Sequence, residues 1–191
     1  MTLFTKEYKD RLVHRAREAM RGALDLPDDA TGLCLHATHF LAQELHREGL
    51  EVRIQAGTLS WRMASEEEDD GNSPTHFTYQ WSPHSPASLV AAVVGALPEM
   101  HVWAALVDPL TIIDISTGQL REHCEAMGGR WTAADPPDYL WAELSDPFEF
   151  DAIYTPEPAA TRLAVRCLWE QYRPAYLPSG KIRFTERLRV E

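Results

Sequence analysis

The chain has 191 residues, of which 45% are apolar, and it carries a formal net charge of −11 at pH 7. This length is typical of one domain with a buried core, so we expect a single domain over residues 1–191. The acidic balance argues against nucleic-acid binding, because phosphate contacts need a basic face. No run of residues approaches the roughly 18–20 apolar positions of a membrane-spanning helix, which argues against a membrane protein.

The N-terminal sequence and the cysteines indicate a cellular compartment. Residues 1–7 contain no apolar run of the kind that a signal peptide requires. The three cysteines, Cys34, Cys124 and Cys167, form no CxxC pair, and an odd count is typical of reduced thiols. We therefore expect a cytoplasmic protein, or one exported without a cleaved signal peptide.

The first third of the chain predicts two helices and a strand. Apolar residues recur every four positions over 4–24, which predicts an amphipathic helix. A second helix is predicted from about Cys34 to Glu48, with Gly49 in the position that follows a helix end. The run Val52–Leu59 then reads as a strand.

The middle of the chain predicts an exposed loop followed by a β-hairpin. Residues 65–74 are acidic and are expected to form a solvated loop. Another strand is expected over 76–81, and a short helix over 86–97. Two apolar runs, 101–107 and 110–115, flank a turn at Asp108-Pro109 and predict a hairpin.

The last third has fewer regular signals. Residues 131–158 are rich in Trp, Pro and Asp and show no clear period. A helix is predicted over 159–172, and the tail at 182–184 is expected to add an edge strand. Helices and antiparallel strands together give the α+β class.

One cysteine, one histidine and one aspartate stand out by their positions in these elements. Cys34 begins the second helix, and the positive end of a helix lowers the pKa of a thiol, as does a neighbouring imidazolium. Backbone N–H groups of that first turn can also bind an oxyanion. His101 begins the first strand of the hairpin, and Asp114 lies near the end of the second.

The hairpin turn predicts that His101 and Asp114 meet. A turn at Asp108-Pro109 pairs residue 106 with residue 111, and Trp103 with Asp114. Because side chains alternate along a strand, His101 then shares a face with Trp103 and is the diagonal neighbour of Asp114. Diagonal neighbours lie roughly 7–8 Å apart by backbone, which side chains can span.

The order of helix with Cys, strand, strand with His and strand with Asp resembles the transglutaminase-like superfamily of cysteine enzymes, a branch of the papain-like fold. The resemblance covers about residues 30–118 and rests on the segments Gly32-Leu33-Cys34, His101-Val102-Trp103 and Ile112 to Thr117. It implies a papain-like core in which a helix with the cysteine at its N-terminus packs on an antiparallel sheet. Residues 4–24 and 125–191 are then elaborations of that core.

The resemblance also implies roles for individual residues. It makes Cys34 the nucleophile, His101 the general base and Asp114 the group that orients the imidazole. Leucines flank Cys34 where the family often carries a Trp. Substrate contact or a second oxyanion donor is expected from one of three residues: Trp103, Trp81 and Gln55. The Arg-Gly-Gly approach to the cysteine that arylamine acetyltransferases share is absent.

The predicted function is a cysteine-dependent acyl-group hydrolase or transferase that works through a thioester. A peptidase, an amidase and a transamidase share this chemistry, with the amide bond of a peptide or protein as substrate and no cofactor. An alternative is a catalytically inactive binding module of the same fold. A third reading is a metal-binding protein built around Cys34, His36 and His39, but their spacing matches no recognised site and we expect no metal.

Overall fold

A computed structural model describes residues 4–24, 33–63, 76–79, 100–107, 111–143 and 152–172. The expectations for the acidic loop, the helix over 86–97 and the tail strand lie outside the described residues. None of the helices in the described part combines the length and the apolar character that crossing a bilayer requires.

The described residues form an α+β fold of four α-helices and six strands. The helices are α1 (Lys6–Leu24), α2 (Cys34–Arg47), α3 (Leu120–Ala126) and α4 (Pro158–Gln171). The strands are β1 (Val52–Arg62), β2 (His76–Tyr79), β3 (His101–Leu106), β4 (Thr111–Asp114), β5 (Leu140–Glu143) and β6 (Ala152–Pro156).

The six strands form one antiparallel sheet in which β1 has three partners. It pairs with β3 over its first half, and with β2 and β6 over its second half. The strands β3, β4 and β5 continue the sheet in that order. Leu106 pairs with Thr111, which confirms the register predicted for the hairpin.

The two faces of β3 bury different sets of side chains. Val102, Ala104 and Leu106 point into the main core, which the helices share with one face of the sheet. On that side α2 packs on β1 and β3, α1 packs on α2, and α4 packs on β1. Trp103 points the other way, into a small cluster with Leu140 and two further side chains. Because side chains alternate, His101 belongs to the Trp103 face.

The second helix begins and ends as the sequence predicts. It starts at Cys34, and Gly49 adopts a φ of 81° just beyond its end. The N–H of Leu50 donates to the carbonyl of Leu45 over 3.1 Å, which closes the last turn. A left-handed residue at this position favours glycine, because a Cβ would crowd the backbone.

The C-terminal third is more regular than its sequence indicates. Residues 131–158 lack a clear period, yet they contain β5 and β6. Two differences lie elsewhere in the chain: the sequence does not predict the helix α3, and β1 runs to Arg62 instead of ending at Leu59. The strands β5 and β6 are short and pair with strands that are distant in sequence, so local alternation gives little signal for them.

Gly57 is the point where three strands come together. It pairs with His101 on one side and with Pro156 on the other. A Cβ at this position would overlap the carbonyl oxygen of Thr155 and lie 2.8 Å from the backbone nitrogen of Glu157. Only glycine therefore fits at this position, where β1 pairs with β3 on one side and with β6 on the other.

Candidate active site

His101 and Asp114 meet at the end of the hairpin. Nε2 of His101 lies 2.5 Å from Oδ2 of Asp114, and both side chains are buried. An ionised carboxylate only accepts hydrogen bonds, so the imidazole is the donor. The structure thus brings these two predicted residues together through the diagonal relation that the hairpin register imposes.

The Asp114 carboxylate has three further hydrogen bonds. The backbone nitrogen and the hydroxyl of Ser116 donate to Oδ1 over 2.8 and 2.6 Å. The hydroxyl of Tyr154, from β6, donates to Oδ2 over 2.8 Å. Burial alone would raise the pKa of Asp114, but the charge and hydrogen bond of His101, with the Ser116 bonds, lower that pKa below its ordinary value.

Cys34 is held at the start of α2 on the helix side of the sheet. Its side chain is half-buried, and the preceding Leu33 provides no side-chain cap for the helix. The first turn carries no acidic residue that would oppose a negative charge on sulfur. One turn later the hydroxyl of Thr38 donates to the carbonyl of Val102 over 3.0 Å, which ties the helix to β3 beside His101.

Cys34 and Asp114 both act on the His101 imidazole. Burial lowers the pKa of the ring, but the charge and hydrogen bond of Asp114 outweigh it, and Cys34 acts in the same direction. The pKa of His101 is therefore raised above its ordinary 6.5. Nδ1, the ring nitrogen that is not bonded to Asp114, has no hydrogen-bond partner among the described residues, so Cys34 acts on the ring without a hydrogen bond to Nδ1.

Trp103 and Gln55 support the imidazole from the sheet. The indole of Trp103 is fully buried, and its nitrogen donates to Oε1 of Gln55 over 2.9 Å. The ring centroid of Trp103 lies 6.2 Å from that of His101. Because the carbonyl oxygen of Gln55 is engaged, a donor role toward an oxyanion rests with its amide nitrogen. Trp81, the third candidate, lies outside the described residues.

Sequence reasoning missed the other residues around the pair. Tyr154 lies in a region without a clear period, and nothing local indicates that it reaches Asp114. Tyr79 lies 5.3 Å from the His101 ring and stacks on His123 at 4.9 Å. Ser116 was detectable, since an aspartate that accepts the backbone N–H two residues later is a common local turn.

The histidines of α2 have aromatic neighbours. Nδ1 of His36 lies 2.6 Å from the hydroxyl of Tyr172, and the ring of His39 stacks on Tyr172 at 3.8 Å. Burial lowers the pKa of His39 to about 3, so this ring is neutral at ordinary pH. Within the described ranges, no three His, Cys, Asp or Glu side chains converge as a metal ion would require.

Comparisons with known proteins give a distant structural likeness. No protein-family model matches the chain, and no curated protein sequence matches it. Among solved structures, the crystal structure of a genomics target is similar to this chain with a TM-score of 0.46 and 13% sequence identity. That match covers 90% of this chain and 77% of the other. At these values the likeness assigns neither a family nor a function.

Proposed function

We propose that the protein is a cysteine-dependent acyl-group hydrolase or transferase, with Cys34 as nucleophile, His101 as general acid and base, and Asp114 as the orienting carboxylate. The observation that carries the proposal is the position of His101. One ring nitrogen is bonded to a buried carboxylate, and the thiol at a helix N-terminus acts on the same ring. A buried imidazole between an acid and a thiol is the arrangement that nucleophilic catalysis by cysteine needs.

The geometry supports a definite order of proton transfers. The thiol proton passes to Nδ1 of His101, and the thiolate attacks the carbonyl carbon of an amide. The imidazolium then protonates the departing amine as the carbon–nitrogen bond breaks, which leaves a thioester on Cys34. A water or a second amine, deprotonated by His101, attacks the thioester and restores the thiol. Asp114 remains ionised and keeps Nε2 protonated throughout.

The papain-like core is part of the proposal. A helix that carries the thiol at its N-terminus packs on an antiparallel sheet that carries the imidazole and the carboxylate. This arrangement supports assignment to the transglutaminase-like branch and to peptide or protein amides as substrates. Hydrolysis is the favoured outcome, because water is always present as an acceptor.

The test is the rate at which iodoacetamide alkylates Cys34 as a function of pH, in wild type and in His101→Ala. Peptide mass spectrometry resolves each thiol, and Cys167, also half-buried, serves as an internal reference. Burial raises the pKa of Cys167, so its alkylation should fail below neutral pH.

We expect Cys34 to react well below pH 7 in wild type and to lose this reactivity in His101→Ala. Activity is then measured against peptide amides, with and without an added amine. If Cys34 follows the same pH profile in both proteins, the thiol and imidazole are not coupled. That result would overturn the proposal in favour of an inactive binding module.

A further inference from the structure

Tyr154 gives the carboxylate a donor that comes from the far end of the chain. It lies on β6, which pairs with β1 on the side opposite to β3, since Gly57 contacts both strands. From there its hydroxyl reaches the same oxygen of Asp114 that His101 uses. Two donors on one oxygen fix the position of that oxygen in two directions.

We propose that Tyr154 is a positioning residue for the Cys34–His101–Asp114 set. Its hydroxyl holds Oδ2 of Asp114 against His101 and so determines the pH range over which thiol and imidazole form an ion pair. The inference rests on the proposed function for the role of the ion pair, but the contact itself does not depend on it. Tyr154 touches neither the sulfur nor a substrate in this scheme.

The hydroxyl of Tyr154 is suited to a permanent donor role. Burial, with the charge and hydrogen bond of Asp114, raises its pKa well above the ordinary value for tyrosine. The phenol therefore keeps its proton at neutral pH and donates to the carboxylate. Its ring packs 5.1 Å from that of Trp103, edge to face, which holds the hydroxyl in place.

The charged and titratable groups around the imidazole come from five elements. Among the described residues, those that face His101 or stack on its neighbours are Cys34 of α2, Tyr79 of β2, Asp114 of β4, Tyr154 of β6 and His123 of α3. Of these groups, Asp114 stabilises the protonated ring most strongly, through its charge and a 2.5 Å hydrogen bond, and Cys34 adds a smaller effect in the same direction. Any loosening of that carboxylate therefore reduces the stability of the imidazolium, and with it the stability of the thiolate.

The test variant is Tyr154→Phe, which removes one hydroxyl and keeps the ring that packs on Trp103. Two quantities are followed across pH: the ring nitrogen shifts of His101 by NMR, and the alkylation rate of Cys34. We expect the His101 ring to lose its proton at lower pH. We also expect the acid limb of Cys34 alkylation to move up by about 0.5–1 pH unit, or three- to tenfold in rate.

Tyr79→Phe is the matched control. Its ring lies closer to His101 than that of Tyr154, at 5.3 against 6.0 Å, but its hydroxyl is not among the four donors to Asp114. The control should leave two quantities at their wild-type pH: the titration of the His101 ring and the acid limb of Cys34 alkylation. These two quantities are called the pH limits below. Ser116→Ala removes a donor from the other oxygen of Asp114 and should move both limits in the same direction, but by less, because the backbone N–H remains.

Several outcomes would overturn the inference. For Tyr154→Phe, these are a pH profile of Cys34 alkylation that superimposes on wild type, or an alkylation rate that falls equally at every pH. For the other variants, they are a shift in Tyr79→Phe as large as that in Tyr154→Phe, and unchanged pH limits in Ser116→Ala. The NMR titration needs no substrate. Shifted limits in a protein that cleaves no amide would therefore support the role of Tyr154 while contradicting the proposed function.

Discussion

The two sides of the His101 ring differ in the number of hydrogen bonds and in solvent exposure. On the Asp114 side, the carboxylate has four donors and nearly no solvent exposure. On the Cys34 side, the thiol is half-exposed, and Nδ1 of His101 has no hydrogen-bond partner among the described residues. We call the Asp114 side the closed side and the Cys34 side the open side. In the proposed mechanism, the closed side is preorganised for acid–base chemistry and the open side leaves room for an incoming carbonyl group.

The largest effect on activity is expected from the open side. Cys34→Ala should lower acyl transfer by on the order of 10⁴-fold or more, because the proposed thioester forms on this sulfur. The half-buried thiol contributes little packing, so the unfolding free energy should change by less than about 1 kcal/mol. Steady-state kinetics and urea unfolding of the same preparation measure both quantities. Cys167→Ala, at a second half-buried thiol, should leave the kinetics unchanged; a similar loss there would contradict the assignment.

The closed side should respond in both activity and stability. Asp114→Asn keeps the shape but has one oxygen where two are needed, so its NH₂ group must face either Ser116 N–H or the pair of His101 and Tyr154. In the second orientation the imidazole proton moves to Nδ1, and the ring cannot accept the thiol proton. We expect about a 10³-fold loss in acyl transfer.

Stability should fall in the same Asp114→Asn variant by about 3–5 kcal/mol, since a buried donor is left without its acceptor. Thermal unfolding and the alkylation profile of Cys34 together check both expectations. An Asp114→Asn protein with wild-type stability and reactivity would show that the closed side is not a functional unit.

The pH dependence of stability sharpens the same comparison. Above pH 6.5 the unfolded imidazole loses its proton while the folded one, with its raised pKa, keeps it, so stability falls as pH rises. Below pH 3.8 the unfolded carboxyl takes up a proton while Asp114, with its lowered pKa, does not, so stability falls as pH falls. The contribution of the pair is therefore complete between these two values.

This contribution can be isolated by comparing wild type with the double variant His101→Gln/Asp114→Asn. In the difference between the two proteins, the slope should approach about −1.4 kcal/mol per pH unit from about one unit above pH 6.5. Urea unfolding at intervals from pH 3 to 9 measures it. A flat difference would mean that the two groups titrate alike in the folded and unfolded chains.

A smaller effect on stability and on Cys34 reactivity is expected where α1 contacts the residue that follows Asp114. Arg17 donates to the carbonyl of Ile115 over 2.9 Å and to the side chain of Asp138 over 2.6 Å. Arg17→Met keeps much of the stem and should cost about 1 kcal/mol of unfolding free energy. Alkylation of Cys34 should fall by less than about threefold, because the bonds to Asp114 remain. A larger loss of reactivity would show that α1 contributes to the reactivity of Cys34 and not to stability alone.

The sequence predicted what depends on local period and missed what depends on distant pairing. The meeting of His101 and Asp114 follows from alternation and from one turn, and the confirmed pairing of Leu106 with Thr111 carries it. The position of Cys34 at the start of α2 follows from helix periodicity, and the end of that helix follows from Gly49. Tyr154 could not be found in this way, because its pairing with Leu59 joins residues about a hundred positions apart.

The crowding around Gly57 has a consequence for recognising relatives of this chain. Overall sequence identity falls quickly between distant relatives that share one fold. A glycine fixed by backbone overlap is a more durable marker, because any side chain there would separate β6 from β1. Distant sequences that share the assembly should keep a glycine two positions before the residue that pairs with their equivalent of Tyr154. That spacing, combined with a Cys, His and Asp in the same order, is a search pattern that does not depend on overall similarity.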